Sequence, residues 1–351
     1  MSVPNPKAHP VTLSSSQRRF ETRPGETVLA AALRQGIILP YSCKNGTCAS
    51  CKCRLVAGRV AYPFNPPLAL TDDDLADGQV LACQATAEAP LVLEAREIEQ
   101  VADLPVRMMP ARVEAIDELT PDVRRLRLKL PRGQRLQFLA GQYIDILLPG
   151  GKRRAFSIAS TPAETEFIEL HVKYVDGGGF TGHVFGDMKK GEIVRFEGPL
   201  GTFFVRLGSP RPILMMGGGT GFAPLKAMVE DLLAAGDDRP ITLYWGVRTE
   251  SDLYARALIA EIAERHHDFR FVPVLSEPDD DWEGRTGFVH EALLADHRNL
   301  SAYEIYMSGP PIMVHSARKA LLARGVSEDH LHYASFDFAP DVPPQDTDVG
   351  N

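Results

Sequence analysis

Residues 40–51 read PYSCKNGTCASC, and the spacing of their cysteines decides how the first part of the chain must fold. Cys43, Cys48 and Cys51 stand in the order C-x4-C-x2-C, and Cys83 follows in the sequence LACQA. This is the plant-type spacing for a two-iron, two-sulfide (2Fe–2S) cluster. The residues between the cysteines are small, as a loop that wraps closely around a compact, anionic core requires. The sequence therefore predicts that these four cysteines are the ligands of a 2Fe–2S cluster.

The same cysteines allow other interpretations. A structural zinc site usually pairs C-x2-C with a second such pair or with histidines, whereas Cys83 stands alone and no histidine lies near it in the sequence. Simple burial of the thiols is a second alternative. Cys53 is predicted not to be a ligand, although an exchange of roles with Cys51 stays open. Five cysteines, four of them crowded together, do not resemble a disulfide framework.

The composition is that of a globular protein, with 44% hydrophobic and 24% charged residues. No apolar run approaches the roughly 18 residues of a membrane span. No apolar segment follows the first basic residues, so we expect no secretory signal and a cytoplasmic protein. The net charge of −8 includes no cluster of lysine and arginine, which disfavours nucleic acid as a partner.

Two shifts in composition, near residues 101–106 and 208–212, divide the chain. The middle part contains short, evenly spaced β-runs with turn residues between them, which predicts a small antiparallel β-barrel. The last part alternates strand-like and helix-like segments, which predicts a parallel, doubly wound α/β sheet. The expected domains are 1–103, 104–207 and 208–338, followed by a Pro- and Asp-rich, disordered tail at 339–351.

A second motif lies in residues 153–160, RRAFSIAS. Arg154 offers a guanidinium that can neutralise a pyrophosphate, and Phe156, two residues on, can stack on a flat ring from the same face of a strand. Ser157 adds a small hydrogen-bonding group. The glycines of GGGFT at 177–181 allow the backbone to approach phosphate, and the helix that follows offers its first amides. This combination indicates a flavin nucleotide.

A third motif, MGGGTGFAP at residues 216–224, follows a buried strand and leads into a helix. It is not G-x-G-x-x-G, so the usual dinucleotide fingerprint does not apply. Its glycines nevertheless permit a close approach to a nucleotide, and SGPPIM at 308–313 repeats the same strand–glycine–helix order. Either segment alone is compatible with an ordinary βα turn. Together they predict a nucleotide site at the carboxyl edge of the sheet.

With these three motifs in this order, the chain resembles the flavoprotein reductases of the ferredoxin–NADP⁺ reductase superfamily that carry an N-terminal plant-type ferredoxin domain. Within that group it is similar to CDP-6-deoxy-glucoseen reductase-like proteins and to the reductase components of bacterial oxygenases. The resemblance runs from about residue 10 to 338. It implies a β-grasp ferredoxin domain, a β-barrel flavin domain and a nucleotide domain. It also implies an enzyme that passes electrons from NAD(P)H through FAD and the cluster to a partner protein.

The resemblance also implies a role for individual residues. Arg154 would bind the flavin pyrophosphate, Phe156 would stack on the isoalloxazine ring, and Ser157 would lie near its reactive N5. The other flavin-binding residues that it implies are His171, Lys173, Gly178, Gly179, Thr181 and Phe336. The residues that it implies for the nicotinamide nucleotide are Gly218, Gly219, Thr220, Gly221, Gly309 and Pro310, with Ser157 and Ser308 in the catalytic positions.

The chain departs from the family pattern at three positions. Many relatives have tyrosine where Phe156 stands, cysteine where Ser308 stands, and an acidic residue where Ala334 stands. The first change removes a hydroxyl contact but keeps the stacking. The second predicts a different geometry of hydride transfer, and the third casts doubt on a carboxylate beside the flavin.

Several functional alternatives stay open at this point. The resemblance favours FAD over FMN. Glu250 favours NADH, because a carboxylate can bind the free 2′-hydroxyl of the ribose, whereas the nearby Arg248 leaves NADPH open. The expected partner is an oxygenase component or the PMP-dependent dehydrase component of CDP-deoxysugar synthesis. A free-flavin reductase and a zinc-stabilised binding protein are the rival functions. We expect a monomer.

Overall fold

The computed structural model describes residues 8–63, 67 and 69–336, and the predicted tail at 339–351 lies outside them. The chain forms two compact units. The first contains the residues up to Pro105 together with Gly201–Phe203 and Tyr333–Ser335. The second contains Val106–Leu200 and Phe204–His332, and continues from Phe336.

The first unit is built on a mixed five-stranded sheet in the order β2-β1-β7-β3-β5, in which only β1 and β7 run parallel. Its strands are β1 (His9–Leu13), β2 (Arg19–Thr22), β3 (Lys52–Ala57), β5 (Gln79–Leu81) and β7 (Leu91–Glu94), with β4 (Val60–Ala61) and β6 (Thr86–Ala87) forming a separate pair. Its helices are α1 (Val28–Arg34) and α2 (Asp72–Ala76).

Local sequence signals explain α1. The hydroxyl of Thr27 accepts a hydrogen bond from the backbone N–H of Ala30 at 3.3 Å and so caps the first turn. Gly36 follows the helix with φ of +72°, a conformation that glycine adopts without a steric cost. The apolar face of the helix, which includes Val28 and Leu29, is buried. Capping and apolar periodicity therefore suffice to predict this helix.

The second unit begins with a six-stranded antiparallel sheet in the order β11-β10-β13-β8-β9-β12. Its elements are β8 (Arg107–Thr120), β9 (Val123–Lys129), β10 (Tyr143–Leu147), β11 (Arg153–Ser157), β12 (Phe167–Lys173), α3 (Gly179–Phe185) and β13 (Ile193–Leu200). Among the described residues no ladder joins β11 to β12, so a closed barrel is not seen. A single bridge, between Ile158 and Leu170, connects the two ends of the sheet.

The rest of the second unit is an α/β layer whose sheet has the order β17-β16-β15-β14-β18-β19. Its strands are β14 (Ile213–Gly218), β15 (Ile241–Val247), β16 (Phe269–Leu275), β17 (Arg285–Thr286), β18 (Glu304–Gly309) and β19 (Leu331–Ser335). Its helices are α4 (Phe222–Ala234), α5 (Arg256–Arg265), α6 (Val289–Asp296) and α7 (Pro311–Ala323). Short 3₁₀ turns occur at Pro149–Gly151, Gly219–Gly221, Glu250–Asp252 and Glu328–His330.

The parallel pairings explain why these strands are almost continuously apolar. From β17 to β18 every pairing is parallel, and all six residues of β14 are buried. A parallel sheet that is covered on both faces selects such runs. The chain moves outward from β14 to β15 and β16, then crosses back to β18 on the other side of β14. The strand order therefore reverses at β14, the place where open α/β sheets bind ligands.

None of the helices in the part of the chain that the structure describes is both long and apolar enough to cross a bilayer.

Candidate redox centre and nucleotide site

The four predicted cluster cysteines meet as two pairs of thiols. A hydrogen bond with Cys48 lowers the pKa of Cys43 to about 5. Cys51 is hydrogen-bonded to Cys83 in the same way, and this bond together with burial raises the pKa of Cys51 well above its ordinary value. All four thiols are free, and only Cys43 is partly exposed. Two pairs of sulfur ligands are what two iron atoms, each bound to two cysteines, require.

The loop around the first pair supplies hydrogen-bond donors to sulfur. The backbone N–H of Ser50 donates to Sγ of Cys48 at 3.4 Å. Backbone groups of Asn45 and Cys48 and the hydroxyl of Thr47 also bind the sulfur of Cys43 and lower its pKa. Donors of this kind stabilise thiolates and an anionic cluster. The residues present therefore fit a 2Fe–2S cluster.

The loop is also held by side chains that lie far away in the sequence. The amide of Gln84 donates to the carbonyl oxygen of Lys44 at 2.8 Å. The hydroxyl of Ser50 donates to the carbonyl oxygen of Tyr333 at 3.1 Å, and the backbone N–H of Tyr41 donates to Oγ1 of Thr202 at 2.9 Å. Sequence reasoning missed these contacts because nothing in the local sequence distinguishes Gln84, Thr202 or Tyr333 as partners of the loop.

Cys53 lies on β3, where it pairs with Val80. Burial alone raises its pKa to about 12, with no contribution from another thiol. A neutral, buried thiol without a sulfur partner fits the expectation that Cys53 is not a ligand.

Arg154, Phe156 and Ser157 of the predicted flavin site lie on β11, which is an edge strand of the described sheet and pairs there with β10. Phe156 packs against the core of this sheet, and its ring lies 5.3 Å from that of Phe180 with the two planes 53° apart. The guanidinium of Arg154 donates to the carbonyl oxygen of Arg153 at 2.8 Å. Arg154 and Phe156 share one face of the strand because side chains two residues apart do so, and Ser157 ends it.

The glycine-rich turn is organised by the hydroxyl of Thr181. This hydroxyl accepts from the backbone N–H of Val175 at 3.3 Å and lies 3.2 Å from the carbonyl oxygen of the same residue. A Cβ at Gly178 would lie 2.5 Å from that hydroxyl. Gly178 is the N-cap of α3, which begins at Gly179. The threonine therefore shapes the turn, and the glycine is required for it to close.

His171 and Lys173, both predicted to lie beside the flavin, have different surroundings. The His171 side chain is 3% exposed, and both ring nitrogens have protein partners. Nζ of Lys173 binds Asp122 at 2.6 Å and borders a separate cavity. Only Lys173 is therefore presented to a ligand site.

That cavity, of about 410 Å³, opens where β14, β15 and β18 end. Its volume is typical of a small-molecule site. Its lining comes from the ends of the parallel strands, from the start of α6 and α7 and from the antiparallel sheet. The lining includes Gly218, Gly219, Thr220, Arg248, Asp252, Tyr254, Phe288, His290, Pro310, Asp122 and Lys173. The predicted strand–glycine segments therefore meet at one cavity.

Glycines are required in the loop after β14 by close packing. A Cβ at Gly218 would collide with Sδ of Met313, and one at Gly221 would lie 2.5 Å from the carbonyl carbon of Ser308. Gly219 has φ of +53° and faces open space. Nε1 of Trp245 donates to the carbonyl oxygen of Gly219 at 2.9 Å. This loop, residues 218–221, is called the glycine loop below. Met313, Ser308 and Trp245 pack against it, while Gly219 is open toward the cavity.

Two further predicted residues lie beside this loop. Ser308 is fully buried, and its hydroxyl has no hydrogen-bond partner among the residues that the structure describes. A buried hydroxyl of this kind is costly unless a ligand satisfies it. The backbone N–H of Phe336 approaches the carbonyl oxygen of Gly309 at 3.4 Å. Neither Ser308 nor Phe336 is among the residues that line the cavity, whereas Pro310, which follows Gly309, does line it.

Glu250, the residue that favours NADH in the sequence, has a partner within the protein. Glu250 forms an ion pair with Arg256. Arg248 lines the cavity and lies 4.0 Å from a carboxylate oxygen of Asp122. Of these two residues, Arg248 borders the cavity and Glu250 is not among its lining residues.

Comparisons with known proteins agree with this geometry. Residues 11–88 match the 2Fe-2S iron-sulfur cluster binding domain, 110–205 the oxidoreductase FAD-binding domain, and 215–319 the oxidoreductase NAD-binding domain. The chain is 37% identical over 332 residues to the CDP-6-deoxy-L-threo-D-glycero-4-hexulose-3-dehydrase reductase of Yersinia pestis, covering 95% of this chain and 98% of that protein. The chain belongs to the iron–sulfur flavoprotein reductases. It is an NAD(P)H-dependent oxidoreductase with binding domains for a 2Fe–2S cluster, FAD and NAD, and the predicted resemblance is confirmed.

Reductases of oxygenases are equally similar to the chain. It is 38% identical over 339 residues to the phenol 2-monooxygenase reductase component DmpP of Pseudomonas sp., covering 94% of this chain and 95% of that protein. The crystal structure of the Amycolatopsis cytochrome P450 reductase GcoB matches with a TM-score of 0.75 and 36% identity, covering 94% of this chain and 100% of that one. The ferredoxin reductase fold is therefore shared along nearly the whole chain.

Proposed function

We propose that the protein oxidises NADH and passes the two electrons, one at a time, to a partner protein that is an oxygenase component. The observation that carries this proposal is the presence, in one chain, of paired thiols suited to a cluster and a glycine-lined cavity at the carboxyl ends of the parallel strands. FAD supplies, when bound, the conversion of a hydride into single electrons, which a cluster accepts one at a time.

The cavity has a suitable group for each part of the nucleotide. Pro310 lines the cavity at the end of β18 and would contact the nicotinamide. Ser308, which is fully buried two residues earlier, would offer its unsatisfied hydroxyl to the carboxamide once the end of the strand opens toward the cavity. Gly218 to Gly221 would receive the phosphates through their backbone. Lys173 and Arg248 line the cavity together with the carboxylates of Asp122 and Asp252, and the two cations would bind the diphosphate directly.

The adenosine would lie at the start of α6. Phe288 lines the cavity with 63% of its surface exposed, and a ring that stacks on a base would cover it. The ring of His290 lies 6.0 Å from that of Phe288, and its buried Nδ1 has no partner within the described part of the chain. The carboxylate of Asp122 already offsets part of the charge of Arg248. This offset disfavours a 2′-phosphate and supports NADH.

The flavin would be held by the residues that β11 and the turn before α3 bring together. Arg154 would bind the pyrophosphate, Phe156 would stack on the ring system, and Ser157 would lie near the reacting atom. Gly178 and Gly179 would approach the phosphates with their backbone, in a turn shaped by Thr181. Phe336 would contact the flavin from the carboxyl-terminal side, and His171 would act through its neighbours rather than by contact.

The finer architecture belongs to the same proposal. The bridge between Ile158 and Leu170 supports a barrel whose seam lies between β11 and β12. The mixed sheet with α1 supports a β-grasp domain for the first unit. We propose domains at 1–103, 104–207 and 208–338, which contain the three matched regions, and cluster ligation by Cys43, Cys48, Cys51 and Cys83.

A second candidate partner is a dehydrase of CDP-deoxysugar synthesis. It is favoured by the 37% identity to the Yersinia pestis reductase across 98% of that protein. The identity to DmpP is as high, so the partner is decided by experiment. Purified oxygenase and dehydrase components should be compared as acceptors at equal concentration.

An anaerobic titration followed by visible absorption tests the proposed function. The protein should be brown, release FAD on denaturation and bleach with NADH at lower concentration than with NADPH. Cys48→Ser should abolish reduction of one-electron protein acceptors while ferricyanide is still reduced by the flavin. A colourless protein, or one that contains zinc without sulfide, would refute the proposal. Bleaching by NADPH alone would refute only the choice of nucleotide.

A further inference from the structure

His171 lies at the centre of a buried polar network that binding of cofactor or nucleotide does not explain. Its Nδ1 lies 3.0 Å from the hydroxyl of Tyr254, and its Nε2 lies 3.0 Å from a carboxylate oxygen of Glu169. Glu169 and His171 belong to β12, whereas Tyr254 follows β15 in the α/β layer. The histidine therefore joins the antiparallel sheet to the nucleotide-binding part of the second unit.

The directions of these hydrogen bonds follow from charge. Burial lowers the pKa of His171, so the ring is neutral. Burial alone would raise the pKa of Glu169, but the hydrogen bond from His171 and the charge of Lys226 lower it to about 2. An ionised carboxylate only accepts, so Nε2 carries the proton and donates to Glu169. Nδ1 then accepts from the hydroxyl of Tyr254.

Aromatic contacts continue this network to the glycine loop. The ring of His171 lies over that of Phe222, with centroids 6.4 Å apart and planes within 20°. Phe222 directly follows Gly221 and stacks on Trp245 at 4.1 Å. Trp245 in turn donates to the carbonyl oxygen of Gly219 at 2.9 Å. Displacement of the histidine would therefore be transmitted to the loop that borders the cavity.

A second connection lies beside the flavin strand. Nζ of Lys226, on α4, donates to the carbonyl oxygen of Ala159 at 3.0 Å and lies 3.4 Å from Glu169. Ala159 stands two residues after Ser157, and its backbone N–H donates to the carbonyl oxygen of Glu169 at 2.8 Å. Glu169 thus contacts α4 through its carboxylate and the residue Ala159, just after β11, through its backbone carbonyl oxygen.

We propose that His171 is a positioning residue for hydride transfer, which holds the glycine loop and Tyr254 in register with the strand that carries the predicted flavin residues. The inference rests on the proposed function, in which the nucleotide occupies the cavity that Tyr254 borders. Hydride transfer requires reacting atoms about 3–3.5 Å apart, and a misplacement of about 1 Å can cost a hundredfold in rate. A fixed link between the two sheets meets this requirement.

Tyr254→Phe in the holoenzyme tests the link because it removes only the hydroxyl and keeps the ring against Trp245. Tyr244→Phe is the matched control. The hydroxyl of Tyr244 is also bound by a carboxylate and a histidine, with 2.9 Å to Asp296 and 3.1 Å to His297, but these partners lie on and beside α6. Flavin reduction by NADH is measured by stopped-flow absorption, with NADH deuterated at C4 in parallel. NAD⁺ affinity and thermal unfolding are measured in the same samples.

Tyr254→Phe should slow hydride transfer about tenfold, with a larger isotope effect on turnover, while NAD⁺ affinity changes less than about twofold. Tyr244→Phe should change the rate by less than about twofold, with a similar loss of thermal stability in both variants. His171→Gln keeps a donor for Glu169 and loses the acceptor for Tyr254. It should slow the step as much as Tyr254→Phe, and the double variant should lose no more than either single variant.

Equal rates in Tyr254→Phe and Tyr244→Phe, or additive losses in the double variant, would overturn the positioning role. A wild-type protein that NADH does not reduce would overturn the proposed function itself, which separates the two failures.

Discussion

Gly221→Ala is predicted to damage both stability and nucleotide binding, and the structure sets the size of the effect. A Cβ at this position would collide with the carbonyl oxygen of Ser308 and would lie 2.5 Å from its carbonyl carbon and 2.8 Å from Cα of Gly309. These atoms are backbone at the end of β18, which pairs with β14, the strand that ends three residues before Gly221. The obstacle cannot rotate away, so the loop or the strand end must shift by about 1 Å. Overpacking of this kind costs about 1–3 kcal/mol, and the backbone obstacle favours the upper end.

A loss of about 3 kcal/mol lowers the folding equilibrium constant roughly a hundredfold. Urea unfolding followed by circular dichroism measures this loss of stability. Stopped-flow reduction at increasing NADH concentration measures the loss of NADH affinity that the displaced loop should cause. Gly208→Ala is the control, because a Cβ at exposed Gly208 meets nothing within 4 Å. Wild-type stability and wild-type NADH affinity in Gly221→Ala would refute the reasoning from close packing.

Three further predictions concern other parts of the chain. Cys53→Ala should keep two iron atoms per protein and lose about 1 kcal/mol of stability, whereas Cys83→Ala should lose the cluster; iron and sulfide analysis distinguishes them. Burial alone would raise the pKa of Glu304, but hydrogen bonds, first that from His332 at 2.6 Å, lower it from 4.5 to about 2. Its carboxylate therefore stabilises the fold above about pH 4.5 and less as the pH falls toward 2. Glu304→Gln should cost about 3 kcal/mol at pH 7, and urea unfolding should show the difference from wild type shrinking below pH 4.5. Lys173→Gln should weaken NADH binding about tenfold through the loss of a charge-assisted hydrogen bond, and unchanged affinity in an equilibrium titration would place the pyrophosphate elsewhere.

Much of the fold is predictable because its signals are local. The cap at Thr27 and the glycine at 36 define α1, and the buried apolar run before Gly217 identifies a central parallel strand. The C-x4-C-x2-C spacing identifies a cluster loop because ligand geometry restricts sequence directly. The three motifs also appear in the order of the three matched domains.

Predictions were weaker where a residue's role depends on partners distant in sequence. His171 is separated by 83 residues from Tyr254, and Lys173 by 51 from Asp122. Spacing on β12 places both side chains on one face, but it does not show that the first is buried under Phe222 while the second borders the cavity. A ribose-binding role for Glu250 stays a prediction, since its ion pair with Arg256 joins two side chains that are about half exposed.

The sequence by itself determined the class of chemistry, since cysteine spacing, glycine-rich turns and strand–helix alternation are read over a few residues. Only the tertiary structure decided which groups meet. It paired Cys43 with Cys48 and Cys51 with Cys83, left the hydroxyl of Ser308 buried without a partner within the described residues, and brought Lys173 to the nucleotide cavity. The physical reason is that steric and capping preferences act along the chain, whereas burial, charge pairing and cavity shape arise from contacts that exist only after distant segments have packed.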